Sequence, residues 1–139
     1  REDAEGQLLL LRGFARERLG KTMAAIADLE AARDALRRSG NVHRLANVDH
    51  NLAGAWRQLG QIDRAIETAR RAELAYDHAP WQPDGLGRDA PGVIAMQKLV
   101  GQALLQRDGP GDAAAARRVL EPLVENHLLS GADATNGDA

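Results

Sequence analysis

The stretch NLAGAWRQLGQIDRAIETARRA, residues 51–72, decides the fold. Leu52, Ala53, Trp56 and Leu59 recur at steps of three and four, the spacing that places side chains on one face of a helix. After Gly60 the pattern restarts with Ile62, Ala65, Ile66, Ala69 and Ala72. A glycine between two such runs suits the left-handed backbone at which a helix stops. The stretch therefore reads as two helices folded back on each other. Small residues at 53, 65, 69 and 72 let the axes approach, while Trp56 and Ile66 fill the remaining volume. Extending the first stripe back to Val42, Leu45 and Ala46 gives helices near 42–59 and 62–78.

One such hairpin cannot cover its own apolar face, so neighbouring copies are expected. Sliding the sequence by 40 residues superposes Gly13 on Ala53, Leu19 on Leu59, Gly20 on Gly60, Ala25 on Ala65, Ile26 on Ile66 and Ala32 on Ala72. A third copy follows at an offset of 48, with Val100, Gly101 and Leu104 answering Leu52, Ala53 and Trp56. Its turn, DGPGD, is longer, and the extra residues before it carry Pro80, Pro83, Gly85, Gly87 and Pro91, which punctuate any helix. Six helices are predicted, near 4–18, 22–38, 42–59, 62–78, 92–107 and 112–128, with Asn41 and Asp112 as N-caps and Gly20 and Gly60 as left-handed ends. The segment 79–91 reads as an inter-repeat loop and 129–139 as a disordered tail.

The stretch 51–72 resembles a tetratricopeptide (TPR) repeat. Leu52, Ala53, Trp56, Gly60, Ala65, Ile66 and Ala72 stand where that family places its large apolar, small, aromatic, turn-glycine, alanine, aliphatic and second alanine residues. The first copy departs from the pattern with Arg12 and Arg16 in place of a large apolar and an aromatic residue. The third departs with Pro122 in place of the second alanine, which should kink the last helix or mark an unusual register. The resemblance implies an all-α, right-handed α-α superhelix of about three helix pairs, six antiparallel helices in all, with repeats at about 4–39, 42–79 and 92–128. The 40-residue spacing is similar to that of repeats in some bacterial transcription activators and signal-sensing regulators.

Composition agrees with a helical chain of one domain: 139 residues hold 26 Ala and 19 Leu against 6 Val, 4 Ile and 3 Thr. With 18 basic and 20 acidic residues, the net charge of −2 supplies no general attraction to nucleic acid or anionic membrane. No cysteine is present, which removes disulfides and thiolate sites. No apolar run is long enough to span a bilayer, and no segment has the order of a targeting signal. A cytoplasmic location is the expectation.

In TPR-like stacks the first helix of each pair lines a concave groove that holds a partner peptide. On helix 42–59 the face opposite the core stripe carries His43, Asn47, His50, Asn51, Gly54, Arg57 and Gln58. The matching positions are Gln7, Leu10, Phe14, Glu17 and Arg18 in the first helix, and Lys98, Gln102 and Gln106 in the fifth. The residues expected to bind a partner are Asn47, His50, Asn51, Arg57, Phe14, Lys98 and Gln102. The resemblance implies that Asn51 hydrogen-bonds a bound peptide's backbone, since its amide is both donor and acceptor. Phe14 and Leu10 at one end, and His50, Arg57 and Lys98 toward the other, suit an apolar anchor followed by an acidic or C-terminal group.

Other features read as structural. His43 and His50 share a face but lack a third metal ligand, so no metal or cofactor is expected. His78 and His127 sit near helix C-termini, where the dipole favours them. The pairs Arg37–Arg38, Arg70–Arg71 and Arg117–Arg118 read as a solvated convex face, with Glu67 and Arg71 in the favourable order for a surface ion pair, and not as a nucleic-acid stripe. Trp81 is expected to pack back from its loop. Ser39 and Ser130 have no His and acid at a nucleophile's spacing, and no phosphate loop is present, so no enzyme is expected. The leading reading is a protein- or peptide-binding module of a larger regulatory or assembly protein. The alternatives are a self-association scaffold, as in a homodimer, and a ligand-sensing regulatory domain of a transcription activator.

Overall fold

A computed structural model describes residues 1–78 and 89–126. The described residues form six helices and no strand: α1 Glu2–Arg18, α2 Thr22–Ser39, α3 Val42–Gln58, α4 Ile62–Asp77, α5 Ala90–Arg107 and α6 Asp112–Glu125. The protein is all-α and built from helix pairs. Trp81, His127, Ser130 and most of the expected loop and tail lie outside the described residues.

The 40-residue repeat is visible in the backbone. Gly20 and Gly60 take φ of 79° and 77°, and each ends its helix with the same two hydrogen bonds. Lys21 N donates to Arg16 O as Gln61 N does to Trp56 O, and Gly20 N donates to Glu17 O as Gly60 N does to Arg57 O. Asn41 caps α3, accepting from Arg44 N at 3.0 Å. Asp89, unexpected from the sequence, caps α5 through Gly92 N at 3.0 Å, so that Pro91 falls in the first turn, where a missing N–H costs nothing.

Each pair packs in opposing order, Gly6 meeting Leu36 and Gly13 meeting Leu29 across α1 and α2. The same contact recurs with its volumes redistributed: Gly13 faces Leu29, Ala53 and Ala69 are both wholly buried at the equivalent positions, and Gly101 faces Leu120. Where the first helix gives up a methyl, the second supplies a leucine, and interior density is kept.

Two expectations need correction, and a third, the unusual register at Pro122, is met. Asp112 is not an N-cap: Gly111 holds that position at φ 82°, and the Asp112 carboxylate instead accepts from Gly109 N and from Arg107. The Gly101–Leu120 contact shifts α6 by one residue, so buried Leu123 stands at the second-alanine position and exposed Pro122 faces outward. The helix continues through it. Val42 and Leu59 do not close the core stripe. They lie at the two ends of α3, 47% and 38% exposed, and Val48 and Ala55 are buried in the stripe instead.

The charged departures of the first copy are matched by a partner. Asp28, buried on α2, accepts from Arg12 Nε and Nη2 at 2.9 and 2.8 Å and from Arg16 Nη1 at 2.8 Å. Forty residues on, the same three positions are Leu52, Trp56 and Thr68, so a charged cluster in one copy replaces an apolar one in the next. Buried Asp49 joins three helices, accepting from Arg33 of α2 and Arg71 of α4 at 3.0 Å each. Arg71 is exposed, as expected of the solvated face, and its guanidinium also reaches Asp49 on α3. Paired charges are the form in which buried carboxylates are tolerated.

Among the described residues the backbones of α1 and α3, and of α3 and α5, approach each other, whereas those of α2 and α4, and of α4 and α6, do not. The odd-numbered helices thus share one continuous face.

Candidate functional site

Two open depressions lie on the face of the odd-numbered helices. The first, about 360 Å³, is walled by Leu10, Leu11 and Phe14 of α1 and by Asn47, His50 and Asn51 of α3. The second, about 430 Å³, is lined by Gly54, Arg57 and Gln58 of α3 and Gln106 of α5. A third, on α6, is edged by Arg117 and Glu121, but these two pair with each other at 2.6 Å, which spends their polar groups locally.

Of the seven residues read from the sequence, Phe14, Asn47, His50 and Asn51 meet in the first depression. Arg57 lines the second, where its Nε donates to Gln106 Oε1 at 3.0 Å and its Nη1 to Gln102 Oε1 at 3.3 Å. Gln102 is itself buried; its place is behind the surface, orienting Arg57. Lys98, half-buried on α5, lines neither depression.

The polar groups of the first depression are held by a residue the sequence reading did not single out. Tyr76 of α4 is buried, and its hydroxyl donates to Asn47 Oδ1 at 2.6 Å. That uses the phenol's one hydrogen, so at the 3.2 Å contact with His50 the Nδ1–H must be the donor and the Tyr76 oxygen the acceptor. His50 then keeps Nε2 as a bare acceptor. Burial pushes the His50 pKa below 6.5, partly offset by the Asp89 carboxylate, so the ring is neutral at neutral pH. Burial and the neighbouring Asp89 and Asp49 carboxylates raise the Tyr76 pKa well above its usual 10.0, which keeps the phenol a donor. Asn51 Nδ2 donates to Asn47 O at 3.1 Å.

Glu17 lies one helical turn beyond Phe14. Its Oε2 is buried and has no hydrogen-bond partner among the described residues. Desolvation raises its pKa above 4.5, against a smaller opposing pull from Arg18, whose guanidinium lies 5.9 Å from the centre of the Phe14 ring. Gly54 stands beside Glu17: a Cβ there would lie 3.5 Å from Glu17 Oε1.

A tyrosine at a core position, where the first copy has Leu36, was the available signal for Tyr76, because a buried phenol needs a partner. Asp28 and Asp49 were marked similarly, as acids on apolar stripes. Among the described residues no three His, Asp or Glu side chains gather as a metal site, and no helix is long and apolar enough to cross a membrane. Comparison with protein-family models, curated proteins and solved structures found no match.

Proposed function

We propose that this chain is a TPR-like interaction module that holds a peptide segment of a partner protein on the face shared by α1, α3 and α5. The observation that carries the reading is the unequal contact between rows. The backbones of the odd-numbered helices approach one another and those of the even-numbered ones do not, as expected if the odd row is the inner side of a curved stack. Two open depressions lie on that side, and stacked repeats use such concave surfaces for binding. Neutral polar groups fixed from behind, as Asn47 and His50 are by Tyr76, cost little further entropy on binding.

The test is to select peptides from a displayed random library against the protein and map the enriched ones by amide NMR shifts. Shifts on α1, α3 and α5, weakened by Asn51→Ala or Arg57→Ala, support the reading. Shifts confined to α2, α4 and α6, or binding indifferent to both substitutions, refute it.

A second reading, self-association, draws on Leu8 and Leu11 of α1, 68% and 58% exposed. Leu8 is the counterpart of Val48, which packs with α2 residues in the core. Sedimentation across a wide concentration range tests it; a monomer throughout removes it.

A further inference from the structure

We infer that the segment seated between α1 and α3 is amphipathic and cationic: a bulky apolar side chain against Leu10, Leu11 and Phe14, followed by a lysine or arginine whose charged end is received by Glu17. This rests on the peptide-binding reading above and specifies its ligand.

The inference comes from accounting for donors and acceptors. Asn47 Oδ1 is taken by Tyr76. Asn51 spends one amide hydrogen on the Asn47 carbonyl and keeps the other together with its Oδ1, as Asn47 keeps its Nδ2 hydrogens. His50, its Nδ1–H committed to Tyr76, offers only Nε2. Glu17 lines neither depression, but its Oε2 has left water without gaining a donor, and a turn of the side chain toward Phe14 would bring it to one. The two asparagine amides can serve a ligand's backbone, whereas His50 Nε2 and Glu17 Oε2 are acceptors that only a ligand's donor can satisfy.

Charge points the same way. The Asp89 carboxylate is near enough to act on His50 and Tyr76. Of the cations at this end, Arg18 lies 5.9 Å from the Phe14 ring centre and acts on Glu17 only through space, and Arg57 is held toward Gln102 and Gln106 on α5. A ligand carboxylate here would face Glu17 across a desolvated gap, whereas an ammonium or guanidinium would supply both the missing hydrogen bond and the countercharge. It would also lie near the Phe14 ring face.

The spacing fits a short motif. Phe14 and Glu17 are three residues apart on α1, about 4.5 Å along its axis, while same-side residues of an extended peptide are roughly 6.6 Å apart. An apolar residue and a basic one two positions later reach both. Gly54 keeps α3 bare where the basic side chain would run.

The test uses fluorescent, end-blocked Ser/Gly-rich peptides containing Phe-Ser-Lys, Phe-Ser-norleucine or Phe-Ser-Glu, measured by anisotropy, with amide NMR shifts locating the site. The lysine peptide should bind roughly tenfold tighter than the norleucine one, a factor equal to about 1.4 kcal/mol, and the glutamate peptide more weakly still. E17Q should erase the lysine preference without lowering thermal stability, and E17K should reverse it toward glutamate. A lysine preference that persists in E17Q, or norleucine or glutamate favoured by the unmodified protein, overturns this inference and leaves the groove reading standing. Peptides that bind nowhere on α1 and α3 overturn both.

Discussion

Gly13→Ala tests the packing argument most directly. A Cβ at Gly13 would lie 2.8 Å from Leu29 Cγ, 2.9 Å from Leu29 Cδ2 and 3.3 Å from the Ala25 carbonyl oxygen. Leu29 is wholly buried and has no open space to move into. Alanine in a helix interior gains about 0.5–1 kcal/mol over glycine, but overpacking a buried contact costs about 1–3 kcal/mol, for a net loss of about 1–2 kcal/mol. Leu29→Ala alone should cost about 2–5 kcal/mol. With Leu29 shortened, the pair becomes the Ala53–Ala69 arrangement, in which the second hairpin already accommodates a Cβ beside the Ala65 backbone. Gly13→Ala should then change sign and stabilise by about 0.5–1 kcal/mol. The coupling, about 2 kcal/mol, is measured by urea unfolding of the four proteins of a double-mutant cycle followed by circular dichroism. The same cost for Gly13→Ala in both backgrounds would refute the claim that these volumes compensate.

Three further outcomes follow from the charged groups. Burial raises the folded pKa of Glu17 above 4.5, so the fold disfavours its ionised form and loses stability as pH rises through that range; Glu17→Gln should melt higher than the unmodified protein at neutral pH, with the gain vanishing below pH 4.5. Asp112 is the opposite case: Arg107 and the Gly109 N–H hold its pKa at about 2, below 3.8. The stability it contributes is complete above pH 3.8 and lost as pH falls to about 2, so Asp112→Asn should flatten the acid limb of a stability–pH profile in that window. Replacing the charged cluster by its counterpart, as Arg12→Leu, Arg16→Trp and Asp28→Thr together, should keep the helical content and increase self-association by light scattering, because α1 would then present the apolar set that α3 presents to α2.

The helices were legible because they follow from period and punctuation alone: apolar steps of three and four in 51–72, and glycines at 20 and 60 whose backbone few other residues adopt. The shared face followed from the same periodicity, which is why Phe14, Asn47, His50 and Asn51 fall together. Gln102 was harder to read, since periodicity places a residue on a face but says nothing of depth. Its amide lies beneath Arg57 because α5 packs closely on α3. Asp28, Asp49 and Tyr76 were missed for another reason. Each is a polar group on a core stripe, and its meaning depends on a partner brought alongside by tertiary packing, at separations of 12 to 29 residues. Pro122 marked an unusual register, as expected, but the one-residue shift of α6 itself accompanies the Gly101–Leu120 contact and was not visible in the turn length.

The repeats differ in kind as well as in degree. At core positions the 40-residue offset exchanges like for like or redistributes volume, as in Ile26 and Ile66, or Gly13–Leu29 and Ala53–Ala69. On the shared face the same offset pairs Leu10 with His50, Leu11 with Asn51, Phe14 with Gly54 and Glu17 with Arg57. Each exchange there changes character: apolar for polar, large for absent, negative for positive. Packing requires the first kind of agreement and is indifferent to the second. A face built from identical positions would hold a partner equally well at either repeat. Here Phe14 and Glu17 on α1 answer Gly54 and Arg57 on α3, so the proposed segment should have one register and one orientation. Reversing the proposed motif to Lys-Ser-Phe should therefore weaken binding, even though composition and net charge are unchanged; equal affinity for both orders would mean the face attracts the peptide without reading it.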